Sequence, residues 1–429
     1  MSKTIKVVSL LIVSTLLLAT LAIGTSSASS KVKILYWTGW GGSELEDLKK
    51  IIQEGFNDKR SDIEVETQTI FGAYEKLLAA IAGGVAPDVV SAVWDSQLAS
   101  LAARGAILPL DNFAVESGIK GTDFWPKLWD SFHYDGKLYA LAVTTNCQFI
   151  AYNLDMVKAA GLDPDNPPKT TQELDEWAVK LTKWDDKGNI KVLGYRPSGI
   201  ALWGRLFGGS FYNEQERKIT ANDPKIVSAM EWLLSYNKWC DPKKHAAFSA
   251  GLGGYWSPEN PFFAGKVAMS GYGEWLVQFG LKYNPKLKYG IFAFPTPDGN
   301  TNSTLFGGSM FVIPKNSKHP KEAWEFIKWI TSEEPMKKIC IAFTNMPPRI
   351  NVAKSPEVLK AIPVLSLTIP LMEKGNAFTS VSMPIWQEYA TALANAESMV
   401  INGQKTPKAA LDEVTVNMQK ELDKFFARR

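Results

Sequence analysis

The stretch AGGVAPDVVSAVWDSQ, residues 82–97, decides the fold. A helical pattern stops on Gly83 and Gly84, and the chain turns at Ala86-Pro87. Val89, Val90 and Val93 then make an apolar run that delivers Trp94 and Asp95 side by side. Upstream, residues 33–37 (KILYW) have the character of a buried strand, and Ser43 with Glu46 three residues on predicts a capping box. Leu45, Leu48, Ile51, Ile52 and Phe56 repeat at helical spacing, residues 63–67 alternate as a strand, and Tyr74, Leu77, Leu78 and Ile81 form a second helical stripe. With a third strand over 88–93, the order strand, helix, strand, helix, strand begins a doubly wound α/β sheet. Ligands of such sheets sit outside the carboxyl ends of the strands. The WTGWGGS tip at 37–43 and the Trp94-Asp95 tip should therefore face one crevice, where Trp40, Trp94 and Asp95 converge.

The chain has 429 residues, 45% hydrophobic and 21% charged, which is soluble globular composition with more chain than one core needs. Two lobes are expected. Lys3 and Lys6 precede an apolar run from Val7 to Ile23 and small residues ending at Ala28, the pattern of a secretory signal peptide over 1–28. An uncleaved anchor is the competing reading, because the run is nearly long enough to span a bilayer. No cysteine lies near the cleavage site, so a lipid anchor is not expected. Without Lys3 and Lys6 the formal charge falls from +3 to +1, which gives no reason to expect nucleic acid. Cys147, Cys240 and Cys340 are an odd, scattered set with no dense disulfide framework, and His133, His245 and His319 lack metal-ligand spacing. No metal or cofactor is expected.

A second lobe begins after residues 136–141, a strand that runs on through Thr144, Thr145 and Asn146 into residues 149–153. Thr170 and Glu173 predict a capping box opening a helix with Leu174, Trp177, Ala178 and Leu181 on one face. FFAGKVAMSGYGEW, residues 262–275, reads as a turn, a strand and a glycine-spaced tip bearing Tyr272, Glu274 and Trp275. Gly307, Gly308 and Ser309 precede a strand over 310–313, Pro320 opens a helix, and the tail is helical over 386–401 and around Leu411, Val414, Met418, Leu422 and Phe425.

The DDKGN turn at 185–189 lacks the spaced oxygen ligands of a calcium loop and fits a hairpin. The paired glycines lie in no phosphate-binding motif, and no nucleophile elbow appears, so neither nucleotide binding nor a catalytic residue is nominated. What remains is a set of strand-tip aromatics with polar partners. The C–H face of a sugar lies well on an aromatic plane, and its hydroxyl rim needs carboxylate or amide partners. Trp94 beside Asp95, and Tyr272 with Glu274 and Trp275, supply both surfaces. Trp203, Trp256 and Arg349 are further candidates, with Ser43, Gly308 and Ser309 beside the tips. Each aromatic also fits an ordinary core role at a lobe edge.

These segments resemble the extracellular solute-binding proteins, family 1, of ABC sugar importers, the group that includes maltose-binding protein. The resemblance is carried by YEKLLAAIAGGVAPDVV at 74–90, GKLYALAVTTNCQFIAYNLD at 136–155, PPKTTQEL at 167–174, FFAGKVAM at 262–269, YGIFAFPTPDG at 289–299 and GGSMFVIPKNSKHPKEAWEFIKWI at 307–330. It implies the type II periplasmic binding protein fold: two doubly wound α/β lobes joined by a three-segment hinge and closing around a sugar. The lobes would comprise 29–144 with 307–351, and 145–306 with 352–429, crossing near Thr144–Cys147, Leu305–Gly307 and Ile350–Ala353. By position, Asp95 matches the family's hydroxyl-binding carboxylate, Trp275 its stacking Trp after the GKVAM strand, and Trp386 the stacking Trp of a late helix. Asn146 stands where maltose-binding protein carries a Glu, and the Trp40 loop also departs, which argues against maltose itself. The implied protein is a free, monomeric periplasmic receptor with a carbohydrate ligand and an ABC transporter membrane permease as partners. A secreted glycosidase, which would need two carboxylates at a fixed separation, and a receptor for a non-sugar solute are the alternatives. A phosphate ligand would call for clustered Arg or Lys, which the tips lack.

Overall fold

The computed structural model describes residues 31–70, 73–299, 304–374 and 377–427; the expected signal peptide lies outside them. Strands β1 (Val32–Thr38), β2 (Ile63–Thr69) and β3 (Val89–Trp94) run parallel, with β1 central. Helices Gly42–Ile52 and Ala73–Ala82 make the crossovers. Ile34, Tyr36, Val65, Val89 and Val90 are buried, as strands covered by helices require. The first helix begins at Gly42 with Gly41 as its N-cap and no side-chain cap bond. The Ser43–Glu46 box is therefore corrected: the paired glycines let the helix start earlier, and Ser43 falls exposed inside its first turn.

Strand β4 (Leu141–Cys147) leads through Gln148 alone into β5 (Phe149–Asn153). β5 is the centre of a second sheet, antiparallel to both β6 (Met269–Tyr272) and β7 (Tyr289–Phe292). β8 (Thr304–Val312) returns to the first sheet and lies antiparallel between β3 and β4. Its start also pairs with β9 (Ala377–Phe378). Gly307 and Gly308 therefore lie inside β8 rather than before it. A Cβ at Gly308 would stand 3.1 Å from the Thr144 carbonyl oxygen, and one at Gly307 would stand 2.7 Å from Oδ1 of Asp95. The strand needs glycine there to pass its neighbours.

Two cores result. The first sheet, helix Pro320–Ile330 and helix Glu333–Phe343 surround one, which continues past the crossing to Phe262, Phe263, Tyr272 and Leu276; β5, β7, helix Thr171–Leu181 and the tail helices Trp386–Ile401 and Pro407–Ala427 enclose the other. Residues of the crossing strand divide between them by the two-residue period of a strand. Cys147, Phe149 and Ala151 join the first core, while Ile150 and Tyr152 join the second.

Near Ile350–Ala353, where the third crossing is expected, the chain does not yet reach the second core. That segment is a short helix against helix Glu333–Phe343, and Val352, Val358, Ile362, Leu365, Ile369 and Met372 all stay with the first core. The chain changes sides at β9, where Ala377 packs in the first core and Phe378 against the second. The 350–373 helices are short, and their apolar spacing in the sequence does not say which core they face.

The expected capping box at Thr170 and Glu173 is present. Residues 185–189 form the hairpin turn, with Oδ1 of Asp185 accepting from the Lys187 and Asn189 backbone N–H groups. All three cysteines are free and buried. Among the described residues no helix is long and apolar enough to cross a membrane.

Candidate functional site

A cavity of about 770 Å³ opens at the carboxyl ends of β1 and β3. The first lobe contributes Trp40, Glu44, Trp94, Asp95 and Ser96. The second contributes Trp256, Trp275 and Phe279. The crossing strands floor it with Asn146, Gln148, Gly307 and Ser309.

Trp94 ends β3 with half of its surface exposed (51%), although a large apolar ring gains by burial. Its backbone N–H donates to Oε1 of Gln97, which starts helix Asp95–Ala103. Asp95, the first residue of that helix, turns towards the crossing, where Oδ2 accepts the Ser380 N–H at 2.9 Å. Burial raises the Asp95 pKa from its ordinary value, opposed by the Ser380 hydrogen bonds. The residue as a whole keeps some surface on the cavity. So the strand end sends an aromatic plane into the cleft and a desolvated carboxyl along its floor.

The opposite wall is a cluster of rings. Trp256 is 60% exposed and lies 5.9 Å from Trp275 and 5.3 Å from Phe279, centroid to centroid. The indole N–H of Trp275 donates to the Tyr255 hydroxyl at 3.2 Å, and that hydroxyl donates to the Gly271 carbonyl at 3.0 Å. A Cβ at Gly273 would stand 2.3 Å from the Trp275 ring, so the glycine-spaced tip exists to let this ring fold back.

Of the sequence-nominated residues, the cavity gathers Trp40, Trp94, Asp95, Asn146, Trp256, Trp275 and Ser309. Trp203 and Tyr272 line a second cavity of about 400 Å³ that shares Gln148 and Trp275 with the first. Five lie elsewhere. Ser43 is exposed, and its neighbour Glu44 faces the cavity instead. Gly308 abuts β4. Glu274 is fully buried and accepts the Cys147 N–H. Arg349 pairs with Asp123 at 3.0 Å, donates to the Thr331 carbonyl and lies over the Phe124 ring, so it holds the first lobe together. Trp386 is only 6% exposed and packs edge-on to Phe211 and Tyr389.

Sequence reasoning missed Glu44, Gln148, Phe279 and Ser380. Glu44 is pushed up to about 7 by burial and then by Asp47, with Lys282 of the opposite lobe pulling it down. Its position in the first turn after the Trp40 loop was the available signal. Ser380 had none, because it reaches the site only by following β9.

Residues 52–363 match the family model of the bacterial extracellular solute-binding proteins. The chain is 25% identical over 431 residues to an arabinooligosaccharide-binding protein of Bacillus subtilis, covering 92% of this chain and 94% of that one. It is 26% identical over 318 residues to an sn-glycerol-3-phosphate-binding periplasmic protein of Escherichia coli, 68% of each chain. A solved structure of CpMnBP1 with mannobiose bound superposes with a TM-score of 0.81 at 29% identity, over 91% of this chain and 100% of that one.

Proposed function

The chain belongs to the bacterial extracellular solute-binding proteins, and from that premise we propose that it captures a neutral oligosaccharide in the interlobe cleft and delivers it to the membrane permease of an ABC transporter. The observation that carries this reading is the cleft itself. Two walls of tryptophan face each other across a carboxylate and amides, and among the described residues no Lys, Arg or His lines it. Its volume suits a small ligand. Indole faces offer apolar area to the C–H faces of sugar rings, while Asp95, Asn146 and Gln148 offer polar partners to hydroxyls. The smaller cavity beyond Trp275 and Gln148 gives room for a further ring beside Trp203.

Among the described residues the larger cavity holds no Lys, Arg or His to pair with a phosphorylated solute, although the N-termini of helices Gly42–Ile52 and Asp95–Ala103 border it and Arg196 lines the smaller cavity. Two carboxyl groups, Glu44 and Asp95, line the cleft. Hydrolysis would need such a pair across the scissile bond, whereas Asp95 is held by the Ser380 backbone on the floor and Glu44 sits at the first-lobe rim. A receptor that returns its sugar intact is the simpler reading.

The lobes in this reading are the segment before β4 with β8 to residue 374, and the segment from β5 to β7 with the tail after β9. Closure would bend the three crossings. The receptor works as a monomer in the periplasm after loss of residues 1–28, without a lipid anchor.

A thermal-shift titration with mannobiose, arabino-oligosaccharides and glycerol 3-phosphate tests it. A ligand at 100 times its Kd stabilises the folded state by about 2.7 kcal/mol. The neutral sugars should raise the Tm and the phosphate should not. A shift with glycerol 3-phosphate alone would overturn the carbohydrate reading. Release of monosaccharide at catalytic rates would move the protein to the enzymes.

A further inference from the structure

Glu274 is a carboxyl that the cleft does not use. It is 0% exposed and stands in the turn between β6 and helix Leu276–Tyr283, one residue before Trp275. Both of its oxygens accept the Cys147 backbone N–H, at 2.9 and 3.0 Å. Cys147 is the last residue of β4 and pairs with Phe306 of β8, so it lies where two of the crossings run side by side. A buried backbone N–H needs an acceptor. Here the acceptor is a side chain from 127 residues further along the chain.

Neighbours along the turn point opposite ways. Trp275 folds back over Gly273 and lines the cleft, while Glu274 goes inward to the crossing. A buried carboxyl is a costly way to accept one hydrogen bond. Burial pushes its pKa up to about 8. The titratable groups acting beside it are two thiols, Cys147 on the crossing strand and Cys340 on helix Glu333–Phe343, both held well above their ordinary range. Cys340 in turn donates to the Val143 carbonyl of β4 at 3.2 Å. The second-lobe turn, the crossing strand and a first-lobe helix therefore meet at this one side chain.

We propose that Glu274 is a positioning residue that fixes the Trp275 wall to the crossing strand, so that the aromatic wall of the second lobe moves with the hinge. The proposal rests on the carbohydrate reading only in taking Trp275 as a ligand-facing wall, and its test uses no sugar.

The experiment is 19F NMR of the full mature chain labelled with 5-fluorotryptophan. The Trp275 resonance is assigned through Trp275→Phe, and amide hydrogen exchange is followed in the peptide containing Cys147. Glu274→Gln keeps an oxygen for the Cys147 N–H and should keep the Trp275 resonance, with exchange within about threefold of wild type. Glu274→Ala should shift or broaden that resonance and speed Cys147 exchange about tenfold or more, because a buried N–H is left without its acceptor. In the wild type the resonance should also move with a midpoint near pH 8, and in Glu274→Gln it should not. An unmoved resonance and unchanged exchange in Glu274→Ala would overturn the proposal. If that variant does not fold, the pH comparison decides: a Trp275 signal with the same pH dependence in wild type and Glu274→Gln overturns it. None of these outcomes depends on which solute binds, so the proposal and the carbohydrate reading can fail separately.

Discussion

Gly307→Ala should destabilise the protein through a single contact, and the structure supplies both opposing terms. The residue is not at positive φ, so alanine is compatible with its backbone. In open space the change would stabilise by about 0.4–1 kcal/mol, by restricting the unfolded chain. Here the new Cβ meets Oδ1 of Asp95 at 2.7 Å and Cγ at 3.4 Å. A free carboxylate would swing aside cheaply, but the other oxygen is tied to the Ser380 N–H. Relief must come from breaking that bond or shifting β8, and overpacking of this kind costs about 1–3 kcal/mol. The net expectation is a loss of about 1–2 kcal/mol, measured by denaturant midpoint at constant slope. The decisive assay is a double-mutant cycle with Asp95→Ala. With the carboxylate gone, Gly307→Ala should become nearly neutral, leaving a coupling of about 1 kcal/mol or more. Additivity within about 0.5 kcal/mol would refute the reasoning and place the cost of Gly307→Ala elsewhere on the strand.

Trp275→Ala should weaken binding of the best neutral oligosaccharide by about 1–3 kcal/mol in calorimetry. Stability should fall by less, because the ring lies on a cavity wall. Arg349→Ala should do the reverse: it breaks the Asp123 pair and the Phe124 contact, so denaturant stability falls by about 1–3 kcal/mol while affinity holds. Stability should also fall as pH rises from about 4.5 towards 8. With its pKa raised to about 8, Glu274 stays protonated in the folded state where the unfolded chain has released the proton, so the unfolded state binds fewer protons across that window. Glu274 contributes a slope approaching roughly 1.4 kcal/mol per pH unit inside the window, and Glu274→Gln should remove that share, leaving those of Glu44 and Asp95, whose pKa values are also raised. An equal slope in both proteins would place the titration on another group.

Most of the first lobe was legible because its signals are local. Strand alternation, helical stripes and the glycine-proline turn before β3 each lie within about ten residues of what they specify. The tips that meet at the cleft were legible for the same reason, since strand ends in such a sheet converge by topology. Trp386 and Arg349 show where this fails. Each has a type that suits sugar recognition, but burial is set by partners far away in sequence: Phe211 for one, Asp123 and Phe124 for the other. Glu274 failed differently. Its place at a glycine-spaced tip was right and its direction wrong, because successive residues of a tight turn point opposite ways. Which core the short helices of 350–373 face was not legible, because a brief apolar repeat fits either.

The crossing strand also bears on how this molecule comes apart. Phe149 and Ala151 belong to a core that runs from the first lobe into Phe262, Phe263, Tyr272 and Leu276 of the second, while Ile150 and Tyr152 belong to the core inside the second lobe. A lobe that melted alone would open the shared core and pull buried side chains out of their packing while the rest stayed in place. Each extraction would strip a buried aliphatic or aromatic group from the half that remained folded, at a cost of about 1.5–3 kcal/mol per large side chain. Partial unfolding is penalised accordingly. Two lobes that bend independently enough to close on a sugar should still denature as one cooperative unit, with a single calorimetric transition.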